Sequence, residues 1–175
     1  PGAVGFGVAF GALVLPAALN PFTGVLASAI IGAGASQISI VNQLTAGIPA
    51  AIAVLTAIAI NLRFALYSAA LAPLLSGFPA RLKAFIAFRI ADPAVPIALH
   101  QGPHWQRGRP RQQFVGAIFG TLWSIWMIGT IVGIIAGPVI PPGWGVASIA
   151  PLMFASVTVP RTRPPPAPAP PPAAP

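Results

Sequence analysis

One acidic residue, Asp92, stands against nine basic ones in 175 residues, and cysteine is absent. With no second carboxylate there is no acid–base dyad, and with no thiol there is no cysteine nucleophile, disulfide framework or cysteine metal site. The sequence also lacks an HExxH motif, and no Ser/His pair lies within an apolar segment. Catalysis, metal binding and cofactor chemistry are therefore not expected. Charge of either sign is scarce too: 6% of residues carry it, where soluble domains carry about a quarter. Ten charged side chains could not cover the surface of a soluble fold this long.

What is there is apolar sequence in long uncharged runs, Pro1 to Leu62 and Gln112 to Pro160. Each is long enough for two or more spans at about 20 residues per helix. The period-2 alternation of a membrane barrel is missing, so the reading is an all-α, polytopic transmembrane protein of five to six segments. The net charge of +8 would suggest nucleic acid in a soluble chain. Here the basic residues lie between and after apolar runs, as loop residues of membrane proteins do, and no nucleic-acid partner is expected.

Proline and glycine punctuate the runs. Span one reads Gly2 to Leu19, and span two Phe22 to Ala46. The third starts near Pro49 and ends about Leu75; a fourth segment, Arg81 to Leu99, holds Asp92, Pro93 and Pro96 and reads as a broken helix. His100 to Gln113 reads as a polar loop with His100 and His104 solvated, span five as Phe114 to Gly137, and span six as Trp144 to Val159. Trp105 and Trp144 fit interfacial anchors. If all six segments cross, Arg107, Arg109, Arg111, Arg161 and Arg163 lie on one side, which the positive-inside rule makes cytoplasmic. Residues 1–160 thus form a transmembrane domain, and 161–175 a disordered Pro/Ala-rich tail. The missing initial Met and the abrupt proline tail suggest a chain incomplete at both ends, with a lost reading frame one source of the tail.

Small residues recur every four positions. Gly24, Ser28, Gly32 and Ser36 do so in span two, and Gly7 and Gly11 in span one. Span five has Gly116, Gly120 and Ser124, then Gly129, Gly133 and Gly137. Such ladders let helix backbones approach closely in lipid. Gly32-Ala33-Gly34-Ala35-Ser36-Gln37 points further, to a helix interrupted near mid-membrane so that freed backbone and polar groups face a substrate. The plainer alternative is a packing surface with Ser36 bonded back to its own helix.

Arg63, with Asn61 beside it, interrupts the third span. Only 14 residues separate Pro49 from Leu62 inclusive, too few to span alone, so Arg63 is expected within the hydrocarbon. A central arginine costs roughly 2.5–3.5 kcal/mol on insertion scales and marks a functional site by default. Asp92 lies at i+3 from Arg89 and could pair with it on one helical face, leaving Arg63 to backbone carbonyls, water, a partner subunit or a substrate carboxylate, which an amino acid would supply. Asp92, before a proline, could alternatively receive a substrate amino group or a coupling proton. Trp123 and Trp126 sit mid-span, either lining an apolar pocket or packing between helices.

Four ordered stretches carry a resemblance. GAGASQ, NLRFALYSAAL, AFRIADPAV and WSIWMIGTIVGIIAG resemble the AGxxQF, xxRHxLY, TDE and W-x2-W-x-x-GTxxG pieces of AzlC-type branched-chain amino acid permeases. The resemblance covers about residues 6–160. It implies export of leucine, isoleucine and valine across a bacterial inner membrane, with a small AzlD-type membrane partner. On this chain the matching positions are Gly32, Gly34, Ser36, Gln37, Arg63, Tyr67, Asp92, Trp123, Trp126, Gly129 and Gly133. Phe64, Ile38 and Pro93 depart from the family pattern. The expected substrate site is then Gly32, Gly34, Ser36, Gln37, Asn61, Arg63, Tyr67, Asp92, Trp123 and Trp126. The rival expectation is a membrane subunit that transports nothing and acts only in helix–helix assembly.

Overall fold

A computed structural model describes residues 2–139. Span six, the tail and Trp144 lie outside them. The regular elements among the described residues are all helices: α1 Gly2–Val14, α2 Pro21–Ile31, α3 Gly34–Thr45, α4 Ala50–Asn61, α5 Arg63–Leu71, α6 Ala80–Phe88, α7 Ala94–Gln101 and α8 Arg109–Ala136. Short 3-10 turns, Gly102–His104 and Gly137–Val139, precede and follow α8. The expected polar loop is thus mostly helix. α7 continues to Gln101 and α8 begins at Arg109, because Gly108 and Pro110 start a helix well (proline fits the first turn). Arg111 ties the remaining turn down by donating to the carbonyls of Trp105 (2.8 Å) and Pro103 (3.1 Å).

Among the described residues two stretches are long and apolar enough to cross a membrane, Ala50–Leu71 with 22 residues and Arg109–Val139 with 31. At 1.5 Å per residue the first is about 33 Å long, matching a hydrocarbon core of about 30 Å. Leu62, between α4 and α5, keeps right-handed helical torsions, so the axis runs on through it. Arg63 therefore stands about 20 Å from one end of this stretch and about 12 Å from the other. Leu55, Leu62 and Leu66 on it are exposed, as befits a face turned to lipid.

Helix α8 is the axis on which two cores hang. Its C-terminal half joins α1 and α3 through Trp126, Ile134, Ala9, Phe10, Val14, Ile38 and Val41. Its N-terminal half joins α5, α6 and α7 through Val115, Phe119, Leu71, Ile86, Val95 and Ala98. The α1–α8 contact is backbone on backbone. A Cβ at Gly7 would lie 2.6 Å from the Trp126 carbonyl, one at Gly129 2.9 Å from that of Val4, and those at Gly11 and Gly133 would collide with the carbonyls of Thr130 and Val8. Above this contact Ser28 of α2 meets Thr130 of α8 at 3.0 Å, both fully buried. Thr130 already donates to the Trp126 carbonyl, so Ser28 is the donor between the helices.

The ladder in span two is not continuous. Gly24 abuts Val14 and Ser28 meets Thr130, but the helix stops before Ser36 is reached.

Candidate functional site

Two helices break, and the breaks meet. The first lies between α2 and α3. Gly32 takes the left-handed conformation (φ 54°, ψ 23°), open to glycine without the penalty a Cβ brings, and closes α2 through its N–H to the Ser28 carbonyl at 3.1 Å. Ala33 (φ −127°, ψ 89°) is non-helical and offers no side-chain cap, so α3 opens on uncapped backbone N–H groups. Gly34 is needed for room, since a Cβ there would lie 2.8 Å from the Trp126 ring.

The second break separates α6 from α7. Arg89 ends α6 with its N–H on the Ile86 carbonyl, and Ala94 restarts the chain with its N–H on Ala91. Pro93 cannot donate to a continuing helix, and it disfavours helical torsions at Asp92. The sequence-predicted broken fourth segment is what forms.

Between the breaks lies a cavity of about 40 Å³, walled by Gly32, Gly34 and Ala35 on one side and Phe88 to Pro93 on the other. Trp123, Trp126, Leu122 and Phe6 complete it. The indole N–H groups of Trp123 and Trp126 are buried with no hydrogen-bond partner among the described residues. Trp126 also belongs to the α1–α3–α8 core, so it both packs and lines.

The ion pairing differs from expectation. Asp92 pairs with Arg63, Oδ2 to Nη2 at 3.1 Å, and not with Arg89. Tyr67 donates its hydroxyl to the other carboxylate oxygen, also at 3.1 Å. The break carries Asp92 off the helical face it would have shared with Arg89, so the i+3 spacing counts for nothing. Arg63 thus has an internal counter-ion, which corrects the expectation that Asp92 would be taken by Arg89. Nε and Nη2 of Arg63 are buried with no hydrogen-bond partner among the described residues, so Nη2 meets Asp92 as an ion pair only.

Arg89 is the cation left over. Its guanidinium lies 4.1 Å from the Phe85 ring centre, 4.8 Å from Trp123 and 5.8 Å from Phe88. No carboxylate or hydrogen-bond acceptor reaches it among the described residues. Sequence reasoning assigned it to Asp92 and so missed it. The signal was its aromatic company, with Phe85 one turn back and Phe88 adjacent.

Of the predicted site residues, Gly32, Gly34, Asp92, Trp123 and Trp126 line the cavity, and Arg63 and Tyr67 stand behind Asp92. Ser36 does not join them; its hydroxyl donates to the Ala33 carbonyl at 3.0 Å and seals its own break. Gln37 and Asn61 lie outside the lining. Gln37 is 2% exposed with both amide atoms unpartnered among the described residues, and the Asn61 side-chain oxygen is likewise buried and unpartnered. The α3–α4 hairpin, registered by Thr56 on Gln43 at 3.4 Å, sets Gln37 at the level of Asn61 to Arg63.

An all-helical chain with membrane-length apolar helices, and two interrupted helices converging on a small cavity, defines the class: a helical membrane protein. Within that class, the chain belongs to the AzlC family, whose description, AzlC protein, matches residues 1–140. It is similar to the inner membrane protein YgaZ of Escherichia coli strain K12, 30% identical over 143 residues, 81% of this chain and 58% of that protein. The chain thus spans somewhat over half the length of this relative. No solved structure matches it.

Proposed function

We propose that this chain is the large subunit of a permease that exports branched-chain amino acids across a bacterial inner membrane, together with a small AzlD-type membrane protein. The observation that carries the reading is the meeting of two helix interruptions at one cavity. Lipid does not tolerate unpaired backbone except where it is buried in protein or lines a cavity, and transporters use such interruptions to face substrate. Membership of the AzlC family and likeness to an inner membrane protein support the membrane setting. No catalytic role is proposed.

The mechanism follows from size and charge. A cavity of about 40 Å³ has room for about three waters at roughly 10–15 Å³ apiece, so leucine enters only when the breaks part. Alternating access then consists of parting them toward one side and then the other. Asp92, held in place by Arg63 and Tyr67, receives the substrate ammonium group; Trp123, Trp126 and Leu122 receive the branched side chain. Gly32 and Gly34 admit the substrate close to the backbone.

The test is reconstitution with the partner in vesicles preloaded with labelled leucine or valine. Efflux well above that of empty vesicles is expected, with Asp92→Ala lowering it at least tenfold. Efflux equal to that of protein-free vesicles would sink the proposal. The rival, an assembly subunit that transports nothing, draws on the exposed face of Ala50–Leu71 and predicts that outcome.

A further inference from the structure

Four features of Arg89 coincide. It lines the cavity between the two breaks, its guanidinium has no anion or acceptor among the described residues, three aromatic rings surround it, and Asp92 is bound elsewhere. Aromatic faces attract a guanidinium but accept none of its five N–H donors in the plane of the fork. Asp92 is the one acid in the whole sequence, and both its oxygens are engaged by Arg63 and Tyr67. The Arg63–Asp92 pair is neutral in sum, so the cavity keeps the uncompensated positive charge of Arg89. The two unpartnered indole N–H groups of Trp123 and Trp126 add donors and no acceptor. Beside Asp92, which the ammonium group meets, such a cavity has a place for an anionic group.

We infer that Arg89 reads the carboxylate of the transported amino acid, with its guanidinium over the Phe85 and Trp123 rings and its N–H donors left for the ligand. The inference rests on the transport reading and deepens it. Arg63 fixes Asp92, Asp92 meets the ammonium group, and Arg89 meets the carboxylate. The two charge-reading residues stand three apart on one non-helical segment, bracketing a zwitterion. Planar, bidentate pairing of guanidinium with carboxylate makes Arg89 non-interchangeable with lysine.

Calorimetric titration of the purified protein with its partner, using leucine and leucinamide, tests this. Leucinamide keeps the ammonium group and the branched side chain but has no carboxylate. Wild type is expected to bind leucine at least tenfold more tightly than leucinamide. Arg89→Gln should erase that preference by weakening leucine alone, and Arg89→Lys should restore only part of it. Equal affinity of wild type for the two ligands, or an equal loss for both in Arg89→Gln, would overturn the role of Arg89 and leave the transport reading standing. Wild type binding neither ligand would overturn both. Should Arg89→Gln fail to fold, the wild-type leucine-to-leucinamide ratio and the Arg89→Lys variant still decide the question.

Discussion

The two halves of α8 are packed by opposite means. From Trp126 onward, α8 presents Gly129 and Gly133, and the turn after it Gly137, to Gly7, Gly11 and Ala12 of α1, and backbone touches backbone. Before Trp123, α8 presents Val115 and Phe119, both fully buried, to Ile86, Val95 and Ala98. A Cβ at Gly116 or Gly120, the glycines of this half, would meet only the ends of side chains: Leu82 Cδ1 at 3.2 Å and Phe85 Cζ at 3.4 Å. A backbone carbonyl cannot step aside, whereas the end of a leucine or phenylalanine can change rotamer. One half is a fixed frame and the other a yielding one, and the cavity lies where they join. Opening is therefore expected to move α6 and α7 while α1, α2 and α8 hold still. Spin-label distances from α6 to α8 should change when leucine is added, and those from α1 to α8 should not.

The largest effect expected from breaking this asymmetry is at Gly133. A valine there must displace the Val8 carbonyl and Ala12 backbone, with no flexible group to give way. Overpacking costs typically 1–3 kcal/mol even where side chains can adjust, and Gly133→Val should exceed that. Loss of the monodisperse peak on size exclusion in mild detergent is the measurement; a normal peak with unchanged melting would show that α1 and α8 are not locked.

Next in size is the ion pair at the join. Asp92→Asn leaves Arg63, 20% exposed, without its carboxylate and weakens the acceptor for Tyr67. Hydrogen bonds to charged groups are worth about 1.5–3 kcal/mol, and partial exposure places this one near the lower figure. A double-mutant cycle with Arg63→Gln should return a coupling of about 1 kcal/mol or more. Coupling near zero would mean that the two residues are merely adjacent.

Much of this was legible in the residues. Gly32 and Gly34 announced the first break, Asp92-Pro93 the second, and the spacing of Gly7, Gly11, Gly129 and Gly133 the close helix pair, because backbone preferences and helical periodicity are local properties. The ion pairing was not legible. Whether Asp92 meets Arg89, three residues away, or Arg63, 29 residues away, depends on how far a break swings the chain, and spacing assumes the helix continues. Ser36 misled for a related reason: a serine just past a break can turn to the carbonyl behind it as readily as to a ligand, and here it does.

A smaller effect tests the fixed half from its polar side. Ser28→Ala removes the donor to Thr130, whose oxygen is then buried with one partner fewer. Hydrogen bonds between helices in membranes average about 0.6 kcal/mol, so a shift of that order in unfolding free energy in detergent is expected. A shift above about 2 kcal/mol would mean that the α2–α8 contact is held by this bond and not by Gly24 seating on Val14.

The smallest effect is expected at Gly120, and it is the sharpest control. Gly120→Ala adds a methyl group at ordinary contact distance from the Phe85 ring, within a helix where alanine is favoured over glycine by roughly 1 kcal/mol. Contact and propensity then point the same way, so melting should stay level or rise slightly. The same Gly→Ala change one half-helix later, at Gly129, brings the methyl to 2.9 Å from the Val4 carbonyl and should lower it. Opposite signs for one chemical change at two glycines of one helix follow only if backbone contact, and not glycine itself, sets stiffness along α8. Matching signs would dissolve the distinction between the two halves, and with it the expectation that α6 and α7 are the parts that move.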